Sequence, residues 1–259
     1  MQHKFLKFFI SLMSIFVGLS YAETSVGNNK SIAFIEHKSA SINIDGIAKA
    51  GEWQGLAWTK LDKHILGELP STEDFQGRFK LAWDEDYLYI LAEIVDDVLF
   101  DQYANPLERY WDDDCLEVFI DEDASGGDHL YNFNAFAYHI ALDNQSVDIG
   151  TKDSQGIPQV LLLNDHVKSA WRRNIKSPNK IVWEVAVKLF NDKYQPFSLG
   201  NTPVKLVKGK HIGFMLAYCD NDGSASREHF IGSTVIKPIN GDKNLGYKTA
   251  DVFQKYQLK

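Results

Sequence analysis

The run Trp111-Asp112-Asp113-Asp114-Cys115-Leu116-Glu117-Val118-Phe119-Ile120-Asp121 holds the residues of this chain best suited to chemistry. A flat indole precedes three carboxylates, and another acid, Glu117, follows. An indole offers its face to axial C–H groups, and carboxylates beside it accept hydroxyl protons, so the pairing suits a pyranose ring. The same residues also read as a core Trp followed by a solvated acidic turn, since Trp is highly buried on average. From Cys115 onward the side chains alternate. Leu116, Val118 and Ile120 share one face, and Cys115, Glu117, Phe119 and Asp121 share the other. This is the pattern of a half-buried strand with Trp111 on the loop that enters it. Glu117, opposite the aliphatic face, either accepts ligand hydroxyls or faces solvent.

Three acidic clusters offer only oxygen donors, which suits a hard cation such as calcium: Asp112 to Asp114, Asp121 to Asp123 with Asp128, and Asp220 with Asp222. The candidate ligands are Asp112, Asp114, Asp121, Asp123, Asp220 and Asp222. A solvated turn is the alternative for each cluster. None is an EF-hand, because Ala225 and Ile231 stand where that loop needs Gly and Glu. The eight His are scattered without zinc spacing. No G-x-S-x-G, H-E-x-x-H or phosphate-cradling glycine loop is present. A glycosidase needs two carboxylates about 5 to 9 Å apart, but 35 acidic residues make chance pairs certain, so an acid pair carries little weight. The two cysteines, Cys115 and Cys219, each fall in an expected strand beside an acidic stretch, and sequence leaves open whether they are thiols or a bridge.

Lys4 and Lys7, the apolar run from Phe8 to Leu19 and the small residues of Ser20-Tyr21-Ala22 form a secretory leader with cleavage expected after Ala22, giving a secreted or periplasmic protein. No later stretch is long and apolar enough to cross a bilayer as a helix. The formal net charge of −8 disfavours nucleic acid and anionic membrane as partners, and is compatible with neutral glycans and bound cations. Residues 23–40 read as a flexible lead-in and first strand, and 41–259 as one domain.

The elements that must position these residues are strands. Arg78 to Trp83 and Tyr87 to Val95 form a hairpin around Asp84-Glu85-Asp86. A long connection carrying Tyr103, Pro106 and Tyr110 then leads to Trp111. Leu130 to Leu142 is expected as a strand with Asn132 and Asn134 on one face. Further strands are expected at 160–163, 169–174, 181–189, 210–219, 230–236 and 252–258. Many short strands between turn signals, without long helical periodicity, predict an all-β fold, an antiparallel β-sandwich of two sheets in the jelly-roll or immunoglobulin-like manner.

In four places the chain resembles the family 9 carbohydrate-binding modules. These are Ile44-Asp45-Gly46 followed by Gly51-Glu52-Trp53; Leu81-Ala82-Trp83-Asp84-Glu85-Asp86-Tyr87-Leu88-Tyr89-Ile90; Trp111 with Asp114, Glu117, Phe119 and Asp121; and Ile212-Gly213-Phe214 with Asp220 and Arg227. The resemblance implies a non-catalytic, sugar-binding sandwich with structural calcium, found with polysaccharide-degrading enzymes. It implies that Trp111 stacks on the sugar and that Glu117 hydrogen-bonds hydroxyls, with Asn132 and Asn134 taking part. Arg in place of Asn134 is more typical of the family. The family's second clamping Trp has no counterpart between Ile231 and Lys259, so that either Tyr247 or Phe230 substitutes or the clamp is one-sided. Arg227 either orients the rim or pairs with Asp220 or Asp222. Sandwich domains of the DOMON-like type, which bind haem through a Met and a His or Lys, are the alternative. Met215, the one Met after the leader, reads as a core residue, so no haem is expected.

Overall fold

The computed structural model describes residues 32–174 and 176–259. The expected leader, its cleavage after Ala22 and most of the lead-in lie outside the described residues. No helix among the described residues is long and apolar enough to cross a membrane.

The hairpin forms where alternation and turn chemistry agree. β4 (Phe75–Trp83) and β5 (Leu88–Asp96) pair antiparallel, from Phe75 opposite Asp96 to Trp83 opposite Leu88. The Asp84 carboxylate closes the turn by accepting the Asp86 and Tyr87 N–H groups at 2.9 and 2.8 Å and the Tyr89 hydroxyl at 2.6 Å. β11 (Ser177–Val187) and β10 (Val167–Asn174) extend this layer beyond β5, and β2 (Thr59–Leu61) adds to β4.

The other layer runs β14 (Gln254–Leu258), β12 (His211–Asp220), β6 (Cys115–Asp121), β7 (Phe136–Ala141), β8 (Ser146–Lys152), β9 (Pro158–Leu162). β13 (His229–Gly232) pairs with β12 and carries β3 (Lys63–Gly67). β1 (Ala33–His37) joins the layers, parallel to β14 through Ala33 to Ile35 and parallel to β4 through Glu36 and His37. The sandwich is therefore all-β but mixed, since β1 enters from the side that antiparallel pairing would exclude. β2, β3 and β8 were not expected as strands. β7 begins only at Phe136, because residues 129–134 are taken up by a turn.

The main core fills the space between layers, where Phe79 meets Phe214 at 5.9 Å and Phe75 stacks on Tyr218 at 5.5 Å. Leu116, Val118 and Ile120 point into it, as their alternation requires. The other face of β6 is not open. Phe119 and Cys115 pack with Met215, Phe230, Ile236 and Phe253 beneath the chain that follows β13. β6 is thus buried on both faces, and the expected half-buried strand becomes a central one. Gly246 permits this covering: a Cβ there would sit 2.6 Å from Met215 Cε and 3.0 Å from the Phe119 ring. Met215 is a core residue, as expected.

The opening Ile44-Asp45-Gly46 segment is fastened from below. Glu184 of β11, completely buried, accepts the N–H groups of Asp45, Gly46 and Ala48 at 3.1, 2.9 and 3.2 Å and the Trp53 indole N–H at 2.8 Å. Trp53 ends α1 (Ala50–Trp53) and plugs the outer face of this layer, with Tyr89 and Leu91 beneath it. Gly46 has φ +74, and a Cβ would meet the Trp171 backbone at 2.9 Å, so no other residue fits. Glu184→Ala is expected to destabilise the domain by about 3 kcal/mol, because two buried and two part-buried donors lose one acceptor. Chemical denaturation with Glu184→Gln as the milder comparison measures this.

Candidate functional site

The pairing register of β6 sets the site. Glu117 lies opposite His139 of β7 on one side and Ala217 of β12 on the other. Its side chain forms the floor of a cavity of about 250 Å³ lined also by Tyr110, Trp111, His139, Ile149, Arg227, Asn244 and Tyr247. Three donors converge on Glu117 Oε1: His139 Nε2 at 2.9 Å, Arg227 Nη1 at 3.0 Å and the Cys219 thiol at 2.9 Å. Burial would raise this carboxyl, and the charge and hydrogen bond of His139, the charge of Arg227 and the hydrogen bond of Cys219 hold it below the usual carboxylate range. His139 Nδ1 lies 3.1 Å from the Ala137 carbonyl, which fixes the ring with Nε2 toward Glu117. Arg227 is itself buried, and its guanidinium lies 4.1 Å over the Phe230 ring.

Trp111 stands at the mouth, 39 % exposed, while its neighbour Tyr110 is buried. The Tyr110 ring supports it edge-on at 4.9 Å and rests in turn on His139 at 4.7 Å. Trp111 is therefore an accessible ring on a rigid mount and not a core indole. Tyr247 and Asn244 come from the segment that Gly246 lets lie close over β6 and β12.

The three acids after Trp111 each fasten a different piece of backbone. Asp112 pairs with Arg109 at 2.8 Å and accepts the Arg227 N–H at 3.2 Å. Asp113 accepts the N–H groups of Gln102 and Tyr103 at 2.9 and 3.1 Å. Asp114 accepts those of Phe100 and Asn221 at 2.6 and 2.8 Å. The long connection before β6 and the loop after β12 are thereby tied to the strand that carries Glu117.

Several residues singled out in the sequence lie elsewhere. Asn132 and Asn134 occupy the turn before β7. Their amides donate to the carbonyls of Asp128 at 3.3 Å and Gly126 at 2.7 Å, and neither lines the cavity. Arg227 pairs with Glu117, not with Asp220 or Asp222. Asp112 is engaged by arginine and backbone. Asp121 and Asp123 hold their own turn through Asp123 N–H, Gly126 N–H and Ser125 N–H, and belong to no cluster of three metal-ligating side chains among the described residues.

Asp114 and Asp220 do come together, and with a third acid, Asp96 at the end of β5. The three are fully buried, with carboxylate oxygens within 4.8 Å of one another. Asp96 Oδ2 accepts the Tyr218 hydroxyl at 2.5 Å, while Asp96 Oδ1 and both oxygens of Asp220 have no partner. Asp222 lies in a second, more exposed group with Asp74 and Asp97. Buried oxygens without donors, in an oxygen-only set, fit a hard divalent cation such as calcium. The signal for Asp96 and Asp97 was their pairing at a strand end, and for Asp74 there was none. His139 and Asn244 needed the register and the crossing of the last loop to be seen.

The profile of the family described as Carbohydrate family 9 binding domain-like matches residues 44–259. The chain belongs to this family of binding domains. The Thermotoga maritima endo-1,4-beta-xylanase A is 35 % identical over 71 residues, 27 % of this chain and 5 % of that protein. The Acetivibrio thermocellus exoglucanase XynX is 32 % identical over 104 residues, 38 % of this chain and 9 % of that one. The chain thus matches only a small part of these curated relatives. Among solved structures, a family 9 carbohydrate-binding module from Caldicellulosiruptor kristjanssonii in complex with cellotriose superposes with a TM-score of 0.62 at 18 % identity, covering 88 % of this chain and 94 % of that one. A protein of Bacteroides uniformis gives 0.55 at 14 %, covering 89 % and 99 %. These likenesses establish the sandwich fold.

The acidic cluster gives the metal-free chain a characteristic pH response. Burial and then mutual repulsion push Asp114 up to about 9 and Asp220 to about 8, and burial pushes Asp96 to about 6. An unfolded Asp titrates near about 3.9. Their contribution is full below that value and is lost as pH rises through the native values, because the unfolded chain releases these protons first. The melting temperature of chelator-treated protein, followed by circular dichroism, should fall between about pH 5 and pH 9.

Proposed function

We propose that this is an exported, non-catalytic domain that binds a neutral β-linked oligo- or polysaccharide at the Trp111 pocket and works beside polysaccharide-degrading enzymes. The observation that carries the reading is an exposed, braced Trp111 ring over a buried, hydrogen-bonded carboxylate. The cavity is smaller than the about 300–1,000 Å³ of drug-sized sites, which suits one or two sugar rings. Trp111 takes the apolar face of a pyranose, and Tyr247 adds a further aromatic ring to the lining. Glu117 Oε1 is occupied by its three donors, so Oε2 is the acceptor for a sugar hydroxyl. Arg227, His139 and Asn244 supply the polar remainder of the wall. The sugar preference follows the relatives' own names, which are xylanases, an exoglucanase and a module complexed with cellotriose.

Several features support binding without hydrolysis. Glu117 is the one carboxylate among the cavity's lining residues, whereas glycoside hydrolysis uses two. Glu117 is also held ionised by its partners, which is opposite to what a general acid needs. Export rests on the basic and apolar start of the chain and its Ser20-Tyr21-Ala22 end.

Trp111→Ala should reduce affinity for cellotriose or xylotriose about tenfold or more in isothermal titration, and change the melting temperature little, because the ring stands at the surface and its one ring contact among the described residues is with Tyr110. Unchanged titration would remove the pocket assignment.

Calcium is proposed at Asp96, Asp114 and Asp220, where it would neutralise the repulsion of three buried acids and tie the ends of β5 and β12 to the loop entering β6. Chelation should lower the melting temperature by about 5–10 °C, and calcium at about a hundredfold its dissociation constant should restore it and flatten the fall with pH. Equal scans with and without chelator would exclude a structural metal.

A further inference from the structure

Beneath the pocket lies a thiol pair with no part in the sugar contacts just assigned. Cys115 opens β6 and Cys219 stands directly opposite it in β12. Directly opposed residues of antiparallel strands have Cα atoms about 4.5–5.5 Å apart, inside the range a disulfide spans. Both side chains lie on the Glu117 face of the sheet and both are fully buried. Their sulfurs and the Glu117 carboxylate lie within 4.8 Å of one another. The Cys219 thiol donates to Glu117 Oε1 at 2.9 Å, and Arg227 Nη1 donates to Cys219 Sγ and to Glu117 Oε1, each at 3.0 Å. The Arg227 cation already occupies the place where a metal bound to these sulfurs would carry its charge, so the cluster is not a second metal site.

We propose that Cys115 and Cys219 are joined by a disulfide in the exported protein, and that this bond sets the hydrogen-bonding state of Glu117 and hence the sugar affinity of the pocket. The inference rests on the sugar-binding reading for its second half only. The two cysteines of this chain allow one pairing within it. In the folded protein neither sulfur is accessible, and burial pushes both thiols up, which keeps them protonated and unreactive. The bond therefore forms during folding, by exchange with a disulfide-bearing oxidant of the exchange-catalyst or glutathione type. One cysteine thiolate attacks the oxidant's disulfide and releases one thiol. The second cysteine then attacks the mixed disulfide and releases the other. In sum, two cysteine thiols and one disulfide give the Cys115–Cys219 bond and two thiols, with the protein oxidised by two electrons and the oxidant reduced by two.

The consequence for the site follows from the donors at Oε1. The reduced protein has three: His139, Arg227 and the Cys219 thiol. Oxidation removes the thiol proton and draws Sγ toward Cys115, leaving two. The carboxylate, less saturated, becomes the stronger acceptor for a sugar hydroxyl, and the bond fixes β6 against β12 under the pocket floor.

The experiment refolds the purified chain in a glutathione redox buffer and, separately, in reductant, and compares the two products. The oxidised product should weigh about 2 Da less and show no thiol titrating under denaturing conditions. It should melt roughly 5–10 °C higher, and bind cellotriose or xylotriose about two- to fivefold tighter, the factor of one weak hydrogen bond. The Cys115→Ser/Cys219→Ser double variant should melt and bind identically in both buffers. Two titrating thiols after oxidative refolding would overturn the bridge. A bridge with equal affinity in both states would overturn its coupling to Glu117. A bridge formed by a protein that binds no sugar in either state would leave the covalent assignment standing and remove the sugar-binding reading instead.

Discussion

Three adjacent carboxylates hold this site in place. Asp112, Asp113 and Asp114 follow one another in the chain, where like charges repel, yet each is satisfied by a different partner set. Asp112 takes Arg109 and the Arg227 amide, Asp113 takes the amides of residues 102 and 103, and Asp114 takes those of residues 100 and 221. A carboxylate that accepts backbone N–H groups does the work of a short strand, fixing a loop that has no ladder of its own. Trp111 is presented to solvent from a loop whose next residue, Asp112, is tied to Arg109 and to the Arg227 amide.

The same end of β6 divides the buried charge into two kinds. Glu117 is compensated within the protein by a guanidinium, an imidazole and a thiol, and its pKa is held down. Asp114 faces the other way, toward Asp96 and Asp220, where burial first, and neighbouring acids after it, drive all three pKa values up. One acid is neutralised by donors inside the protein. The others lack such donors, which is the basis on which a cation is proposed among them. Two strand positions separate Asp114 from Glu117 in the chain, but different neighbours in space give them opposite chemistry.

Packing carries the arrangement further outward. Gly246 lets the last loop lie on Met215 and Phe119, which buries the second face of β6 and brings Asn244 and Tyr247 to the cavity. Tyr247 and Trp111 are thereby brought to the lining of one cavity from segments far apart in the chain. At the far layer, Glu184 repeats the device of Asp112 to Asp114, one buried carboxylate organising the opening loop around Gly46.

What the sequence determined by itself was local. Alternation in residues 115–121 and 87–95 set which side chains enter the core. Asp84 and Asp-Gly chemistry set turns, and an indole beside acids at a strand entrance marked the place of the pocket. Only tertiary structure decided which acids meet. Asp96, Asp114 and Asp220 come from strand ends far apart in the chain, and Arg227 reaches Glu117 because the loop after β12 folds back over its own sheet. Asn132 and Asn134 were expected on a strand, and in the site through the family resemblance; the structure puts them in a turn, where their amides donate to the carbonyls of Asp128 and Gly126. The parallel entry of β1, the cover over Glu117 and the opposition of Cys115 to Cys219 depend on pairing register. Register is set by long-range burial, and the period-two pattern that reveals a strand is the same for every partner it might take.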